Sequence, residues 1–337
     1  MDRRQEQLRR WVAMELAAPS PESLPWKTVA GDASSRRYFR VGEGEDSLIC
    51  VDAPPSTEKN ESFLQVRSLL EAAGLRVPAL RAADSERGFM LLEDLGDELM
   101  LDRLRADTVD DFYRQALEQL LPMQAIRDPG LPPYSEAILA EELSRFSEWF
   151  CQGWLRIEPG GTKRQSIVDL EAQLIANALE QPQVFVHVDY HSRNLLLLPG
   201  GELAIIDFQD ARLGPLCYDL VSLLRDCYIR WSPEQVRNWA LAYRNLLLEN
   251  KLPAGDDEEQ FLRWFDWIGL QRHLKVLGNF TRLSLRNGKH DYLGDIPLVS
   301  DYIRQVLATY EELADFRLWY EEQVVPLIAA QLGSAGQ

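Results

Sequence analysis

With 337 residues, 46% of them hydrophobic and 26% charged, the chain can bury the core of one large domain or of two lobes. Its 53 acidic against 36 basic side chains give a net charge of −17, which excludes a generic nucleic-acid binder because phosphate backbones require a basic footprint. No apolar run approaches the roughly 20 residues of a membrane-spanning helix, so the expectation is a soluble, cytoplasmic protein with neither nucleic acid nor membrane as partner; the sequence leaves the oligomeric state open, with a monomer as the working expectation.

Leu8, Trp11, Val12 and Leu16 recur at helical spacing among charges, which predicts an amphipathic helix over 1–18 and not a secretion signal. Strands follow at 26–29 and 37–41, flanking the polar turn Gly31-Asp32-Ala33-Ser34-Ser35-Arg36. The N–H groups and hydroxyls of such a turn can lie over a polyphosphate, which makes Ser34, Ser35 and Arg36 candidate cofactor contacts. A third strand, 47–51, leads through Asp52-Ala53-Pro54-Pro55, a candidate helix cap, into a helix over 58–73. That helix buries Phe63, Val66, Leu69, Leu70 and Ala73 and ends at Gly74. A strand over 87–93 runs into Leu92-Glu93-Asp94-Leu95-Gly96. Beyond Asp97 the periodicity is helical, at 109–123, 136–150 and 166–179, broken by proline- and glycine-rich turns. Cys50, Cys151, Cys217 and Cys227 form no C-x-x-C pair and are expected to be reduced core thiols.

The chemistry concentrates at 184–207. His187, Asp189 and Asn194 precede two short apolar strands, 195–198 and 203–206, joined by Pro199-Gly200-Gly201, and Asp207 follows at once. A hairpin brings its open ends together, so Asn194 and Asp207 should sit side by side as hard oxygen ligands. Two such ligands suit Mg²⁺, which keeps several waters and takes further oxygens from substrate phosphates. Asp189 would stand at the same mouth to receive a proton from an incoming hydroxyl, with His187 bracing the loop and His191 within reach of substrate. This outlines a phosphoryl-transfer site. Further on, Asp219 opens a helix whose dipole favours a carboxylate there. Residues 261–289 hold six bases against one acid, Asp266. As a helix they align Arg272, Lys275, Asn279, Arg282 and Arg286 on one face. Such a face is either solvated or turned, through Arg272 and Lys275, to an anionic acceptor or the phosphates. A last helical segment spans 297–332.

His187-x-Asp189-x-x-x-x-Asn194 with Ile206-Asp207-Phe208, and Gly214-Pro215-x-x-Tyr218-Asp219-Leu220 after them, resemble the catalytic loop and metal-binding aspartate of the protein-kinase-like fold. The version is that of aminoglycoside and choline phosphotransferases. The stretches 31–40, 51–55, 92–97 and 271–278 look, more narrowly, like the bacterial cell-wall amino-sugar kinases. The resemblance implies an α+β, two-lobed fold. A small antiparallel-sheet, nucleotide-binding N-lobe with its hinge would span 1–95, and a large, mainly helical C-lobe with the catalytic loop and sugar site would span 96–337. It implies ATP and Mg²⁺ as cofactors and, as activity, phosphorylation of the anomeric hydroxyl of N-acetylmuramate and N-acetylglucosamine in peptidoglycan recycling.

Carried over residue by residue, Asp189 is the catalytic aspartate, Asn194 and Asp207 are the metal ligands, and Ser34, Ser35 and Arg36 belong to the phosphate loop. Glu93 and Leu95 lie in the segment that offers backbone groups to adenine, Arg193 contacts phosphate, and Asp219 ties the loop in place. One departure stands out. The third strand offers Cys50, Val51 and Asp52 where such kinases carry a phosphate-pairing lysine. Arg36, Arg37, Arg40 and Lys59 are the candidates to replace it, with Glu61 and Glu71 as possible ion-pair partners. Two other readings stand beside the sugar kinase. An aminoglycoside- or choline-type kinase would need carboxylates around its cationic acceptor; a catalytically silent kinase-like regulator would have no chemical need for Asp189, Asn194 and Asp207 together.

Overall fold

The computed structural model describes residues 2–29 and 35–335. In chain order its main elements are α1 (Arg3–Glu15), β1 (Trp26–Val29), β2 (Arg37–Val41), β3 (Leu48–Asp52), α2 (Asn60–Ala72), β4 (Leu80–Asp84), β5 (Phe89–Glu93), α3 (Met100–Arg103), α4 (Val109–Ala125) and α5 (Glu136–Arg145). A π-helix (Phe146–Leu155) continues α5 and is followed by α6 (Gly161–Glu180), β6 (Gln183–Val186), β7 (Leu195–Leu197), β8 (Leu203–Ile205) and β9 (Arg212–Pro215). The chain ends in α7 (Tyr218–Leu224), α8 (Pro233–Glu249), α9 (Glu258–Asn287), α10 (Ile296–Thr309), α11 (Ala314–Trp319) and α12 (Val325–Ala335). Contacts divide it into two compact units: residues up to 103 with 193–210, and 104–192 with 211 onward.

The first unit is an antiparallel sheet in the order β1-β2-β3-β5-β4. Alternation along the strands turns Phe39, Val41, Cys50, Phe89 and Leu91 to one face, which Leu8, Trp11 and Val12 of α1 cover. Burying side chains of this size stabilises the unit by roughly 1.5–3 kcal/mol each. Asp52 does not cap the next helix, contrary to expectation. Its carboxylate is buried and held by Arg4 and Arg37, while α2 begins only at Asn60, behind Lys59 and without a side-chain cap. Strand β4, which lacks β-branched and aromatic residues, owes its form to edge pairing with β5, from Leu80↔Leu92 to Asp84↔Phe89.

The β7–β8 hairpin belongs to this unit, so the division differs from a single cut after residue 95. Leu197 N–H donates to the Glu98 carbonyl and Ile205 N–H to the Arg76 carbonyl, both at 2.8 Å. Leu95, Leu196 and Ala204 pack together.

The second unit is built around α9, whose residues from Phe261 to Ser284 are mostly buried. At Gly278 a Cβ would lie 2.5 Å from the backbone carbonyl of Arg145, so only glycine lets α9 approach α5 this closely. α9 starts at the Asp257 cap and stops at Gly288, whose φ of 68° only glycine adopts freely. β6 and β9 pair antiparallel, Gln183↔Pro215 to Val186↔Arg212, and deliver the loop that follows β6. The four cysteines are buried and free. No described helix is long and apolar enough to cross a membrane.

Candidate active site

In the second unit, the loop after β6 is fastened at both ends by carboxylates, Asp219 in the first turn of α7 and Asp226 just past its end. Asp219 accepts hydrogen bonds from His187 N–H at 2.6 Å and Val188 N–H at 3.0 Å. Asp226 accepts from Ser192 N–H at 3.0 Å and from the Ser192 hydroxyl. Between these anchors Tyr190 is buried, its hydroxyl donating to the Ala116 carbonyl of α4 at 2.9 Å. Val188 is held at φ 80°, a conformation that a β-branched residue adopts only under constraint, and Asp219 supplies that constraint. The buried His187 accepts from Asp189 N–H through Nδ1 at 3.3 Å, so it braces the loop as expected.

Asp189 and His191 are half-buried on this loop. Burial pushes the Asp189 carboxyl up, but the charges of Lys275, His191, Arg272 and His187 outweigh it and hold the group below the usual carboxylate range. Asp219 goes the other way. Burial raises it to about 7, only partly offset by the N–H groups of His187 and Val188.

The basic face of α9 is not a solvated stripe along its whole length: Arg272 and Lys275 are both buried, whereas Arg286 is exposed. Lys275 Nζ lies 2.9 Å from Glu142 Oε1 and donates to the Tyr218 hydroxyl at 2.9 Å. Glu142 also receives the Tyr134 hydroxyl and, at 3.2 Å, the Gln271 amide. Arg272 donates from Nη1 to Cys227 Sγ at 3.5 Å. Thus Asp189, His191, Arg272 and Lys275 gather in one unit. Asp226, Glu142 and Tyr218 are the partners that sequence reasoning missed, because each acts across long chain separations.

In the first unit, Ile206 N–H donates to the Asn194 carbonyl at 3.1 Å, closing the open end of the hairpin and bringing Asn194 and Asp207 to the same end. Asp207 has a left-handed φ of 62°, its side chain is exposed, and its Oδ1 accepts from the Gln209 amide at 2.8 Å. The next residue, Phe208, stacks on Phe63 of α2 at 5.0 Å, and Ser62 Oγ donates to the Gln209 carbonyl at 2.7 Å, which fixes this turn to the helix. One amide and one carboxylate oxygen form a sparse, hard donor set. Among the described residues no cluster of three His, Cys, Asp or Glu side chains could hold a metal by itself. That suits an ion such as Mg²⁺, which fills its shell from water and phosphate.

Of the turn residues, Ser34 lies outside the described residues, as do Gly31, Asp32 and Ala33. Ser35 N–H donates to Glu58 Oε1 at 3.1 Å, and its hydroxyl lies 2.7 Å from Thr57 Oγ1. Arg36 is 3% exposed, its Nε 3.1 Å from Glu58 Oε2 and its guanidinium over the Phe63 ring. The partner of Arg36 is thus Glu58, just ahead of α2, whereas Glu71 pairs with Arg67 one helical turn away. Arg37 is tied to Asp2 and Asp52, Arg40 to Asp94 and Asp97, and Lys59 to Asp210. The Glu93 side chain forms a two-pronged pair with Arg76, which keeps its carboxyl below the ordinary range. Leu95 is buried, and Arg193 is exposed.

The profile of the Phosphotransferase enzyme family matches residues 25–263. Over 304 residues the chain is 40% identical to the N-acetylmuramate/N-acetylglucosamine kinase of Pseudomonas aeruginosa, covering 88% of this chain and 87% of that protein. It is 38% identical over 290 residues to the protein of the same name from Pseudomonas putida, covering 85% and 84%. The solved structure of an ADP-bound aminoglycoside phosphotransferase superposes with a TM-score of 0.57 at 12% identity, covering 88% of this chain and 96% of that one. The fold is shared: a small antiparallel sheet followed by a mostly helical remainder.

Proposed function

The chain belongs to the phosphotransferase enzyme family, and we propose from that premise that it transfers the γ-phosphoryl group of ATP to the anomeric hydroxyl of N-acetylmuramate and of N-acetylglucosamine. It is a sugar kinase. The observation that carries this is 40% identity, over most of both chains, to a protein named for these two sugars. Likeness of fold alone does not choose the acceptor.

In this reading Asp189 orients the acceptor hydroxyl and takes its proton late, as the new O–P bond forms, the bond to the β-phosphate oxygen breaks and ADP leaves. The cations around Asp189 support it, since they keep the carboxylate ionised and ready at neutral pH. Asn194 and Asp207 would hold Mg²⁺, which would supply positive charge to offset that of the phosphates. Ser34, Ser35 and Arg36 contact those phosphates, and Arg36 replaces the missing strand lysine. Arg37 and Arg40 are tied to carboxylates of the sheet and its flanks and Lys59 to Asp210, while Glu58 holds Arg36 at the exit of the polar turn. Glu58 is thus a positioning residue. Glu93 through its carbonyl, its N–H being held by the Ala79 carbonyl, and Leu95 through its backbone serve adenine, their side chains being engaged elsewhere, and Arg193 adds a phosphate contact. His191 touches the sugar. Lys275 acts through its charge, since its ammonium is engaged by Glu142 and Tyr218.

The first unit accordingly serves the nucleotide and the second the acceptor, in a monomer acting in the cytoplasm on sugars released from peptidoglycan. The test is to incubate the protein with MgATP and, separately, N-acetylmuramate, N-acetylglucosamine, glucose, choline and kanamycin. ADP release with the two N-acetyl sugars, and a sugar phosphate in the phosphorus NMR spectrum, is the expected result. Release only with choline or kanamycin would overturn the reading.

A further inference from the structure

Resting on the sugar-kinase reading, we infer that Arg272 reads a carboxylate on the acceptor and so sets the preference for N-acetylmuramate, which carries a lactyl carboxylate, over N-acetylglucosamine, which has a hydroxyl at that position.

Arg272 is 4% exposed, yet its surroundings are not those of an ordinary buried cation. Among the described residues its guanidinium has no carboxylate within ion-pairing distance, and its one hydrogen bond goes to a thiol sulfur, a weak acceptor, at 3.5 Å. Other cations buried to a similar degree are answered by an anion or a carbonyl: Lys275 by Glu142, Arg36 by Glu58, Arg67 by Glu71, Arg244 by the Ala254 carbonyl. A guanidinium taken from water without a partner is costly, and a bound anion offsets that cost. The nitrogens of Arg272 that lack a partner are also not sealed. They are absent from the fully buried, partnerless atoms among the described residues, which include nitrogens of Arg67 and Arg225.

Position adds to this. Cys227, which holds one end of the guanidinium, directly follows Asp226, the carboxylate that fastens the end of the Asp189 loop. The charge of Arg272 is felt at Asp189 itself. A planar fork without a carboxylate partner, its charge felt at the group that receives the acceptor hydroxyl, is suited to a two-pronged grip on a carboxylate. The same fork could instead grip the phosphoryl group in transfer, and that group is common to both sugars.

The experiment compares kcat and KM for the two sugars in the native protein, Arg272→Gln and Arg272→Lys, with folding checked by circular dichroism. The ratio of kcat/KM for N-acetylmuramate over N-acetylglucosamine should fall about 10- to 100-fold in Arg272→Gln, mainly through KM, as expected for losing a charged hydrogen-bonding partner. Arg272→Lys should fall in between, and it keeps the test open if the glutamine variant does not fold. An equal loss for both sugars, seen in kcat, would place Arg272 on the transferred phosphate and overturn the inference while leaving the sugar-kinase reading intact. A native protein that phosphorylates neither sugar would overturn that reading and this inference with it.

Discussion

Replacing Asp219 by Asn separates what the loop anchor does for stability from what it does for turnover. The native carboxylate accepts two buried N–H groups, at 2.6 and 3.0 Å. An amide of the same shape can accept only one and turns its NH₂ toward the other, which costs about 1–3 kcal/mol. Against this stands the burial of Asp219 itself, raised from an ordinary 3.8 to about 7. In that interval the folded chain keeps a proton that the unfolded chain has lost. The contribution of Asp219 is therefore fully present below the ordinary value and is lost as pH rises through about 7, at about 1.4 kcal/mol per pH unit. Asparagine does not titrate. The stability of the native protein minus that of Asp219→Asn should therefore fall by roughly 2–3 kcal/mol between about pH 5 and about pH 7. Urea unfolding at several pH values measures it. Turnover should move the other way: with Val188 at φ 80° less firmly held, kcat should drop about tenfold or more even where the variant is as stable as its parent. A gap that stays constant or widens with pH would refute the reasoning.

Asp207→Ala should weaken MgATP binding about tenfold or more while affecting metal-free ATP far less, as titration calorimetry with and without Mg²⁺ will show. Glu58→Gln should raise the KM for ATP several-fold by loosening Arg36, and Arg36→Gln should raise it further; equal kinetics for both variants and the parent would remove Arg36 from the phosphates. Gly278→Ala sets a methyl against the Arg145 carbonyl, so it should lower the unfolding free energy by about 1–3 kcal/mol in denaturant titrations.

Elements whose cause is local were legible in the sequence. Strands β1 and β2 announce themselves by aromatic and β-branched residues, and the hairpin by apolar runs around Pro199-Gly200-Gly201. Elements whose cause is distant were not. β4 exists because β5 offers it an edge; β9, with Gly214 and Pro215, becomes a strand only against β6. Helix α8 went unnoticed although its Ser232/Gln235 capping box is a local signal. At the site, the approach of Asn194 to Asp207 follows from hairpin geometry, but a basic helical face does not by itself tell whether Arg272 and Lys275 are solvated or enclosed. Their enclosure comes from Glu142, Tyr218 and Cys227, residues 45 to 133 positions away, which no local pattern connects to them. Glu58 opens the predicted helix over 58–73, but the observed α2 begins only at Asn60, which leaves Glu58 ahead of it and next to Arg36.

The most direct test of the central claim is a single-turnover experiment with γ-labelled ATP, saturating Mg²⁺ and N-acetylmuramate, comparing the native protein with Asp189→Asn. The native protein should form labelled sugar phosphate, and the variant should bind nucleotide with similar affinity yet transfer about 10²- to 10⁴-fold more slowly. Transfer at the native rate by Asp189→Asn would contradict the account.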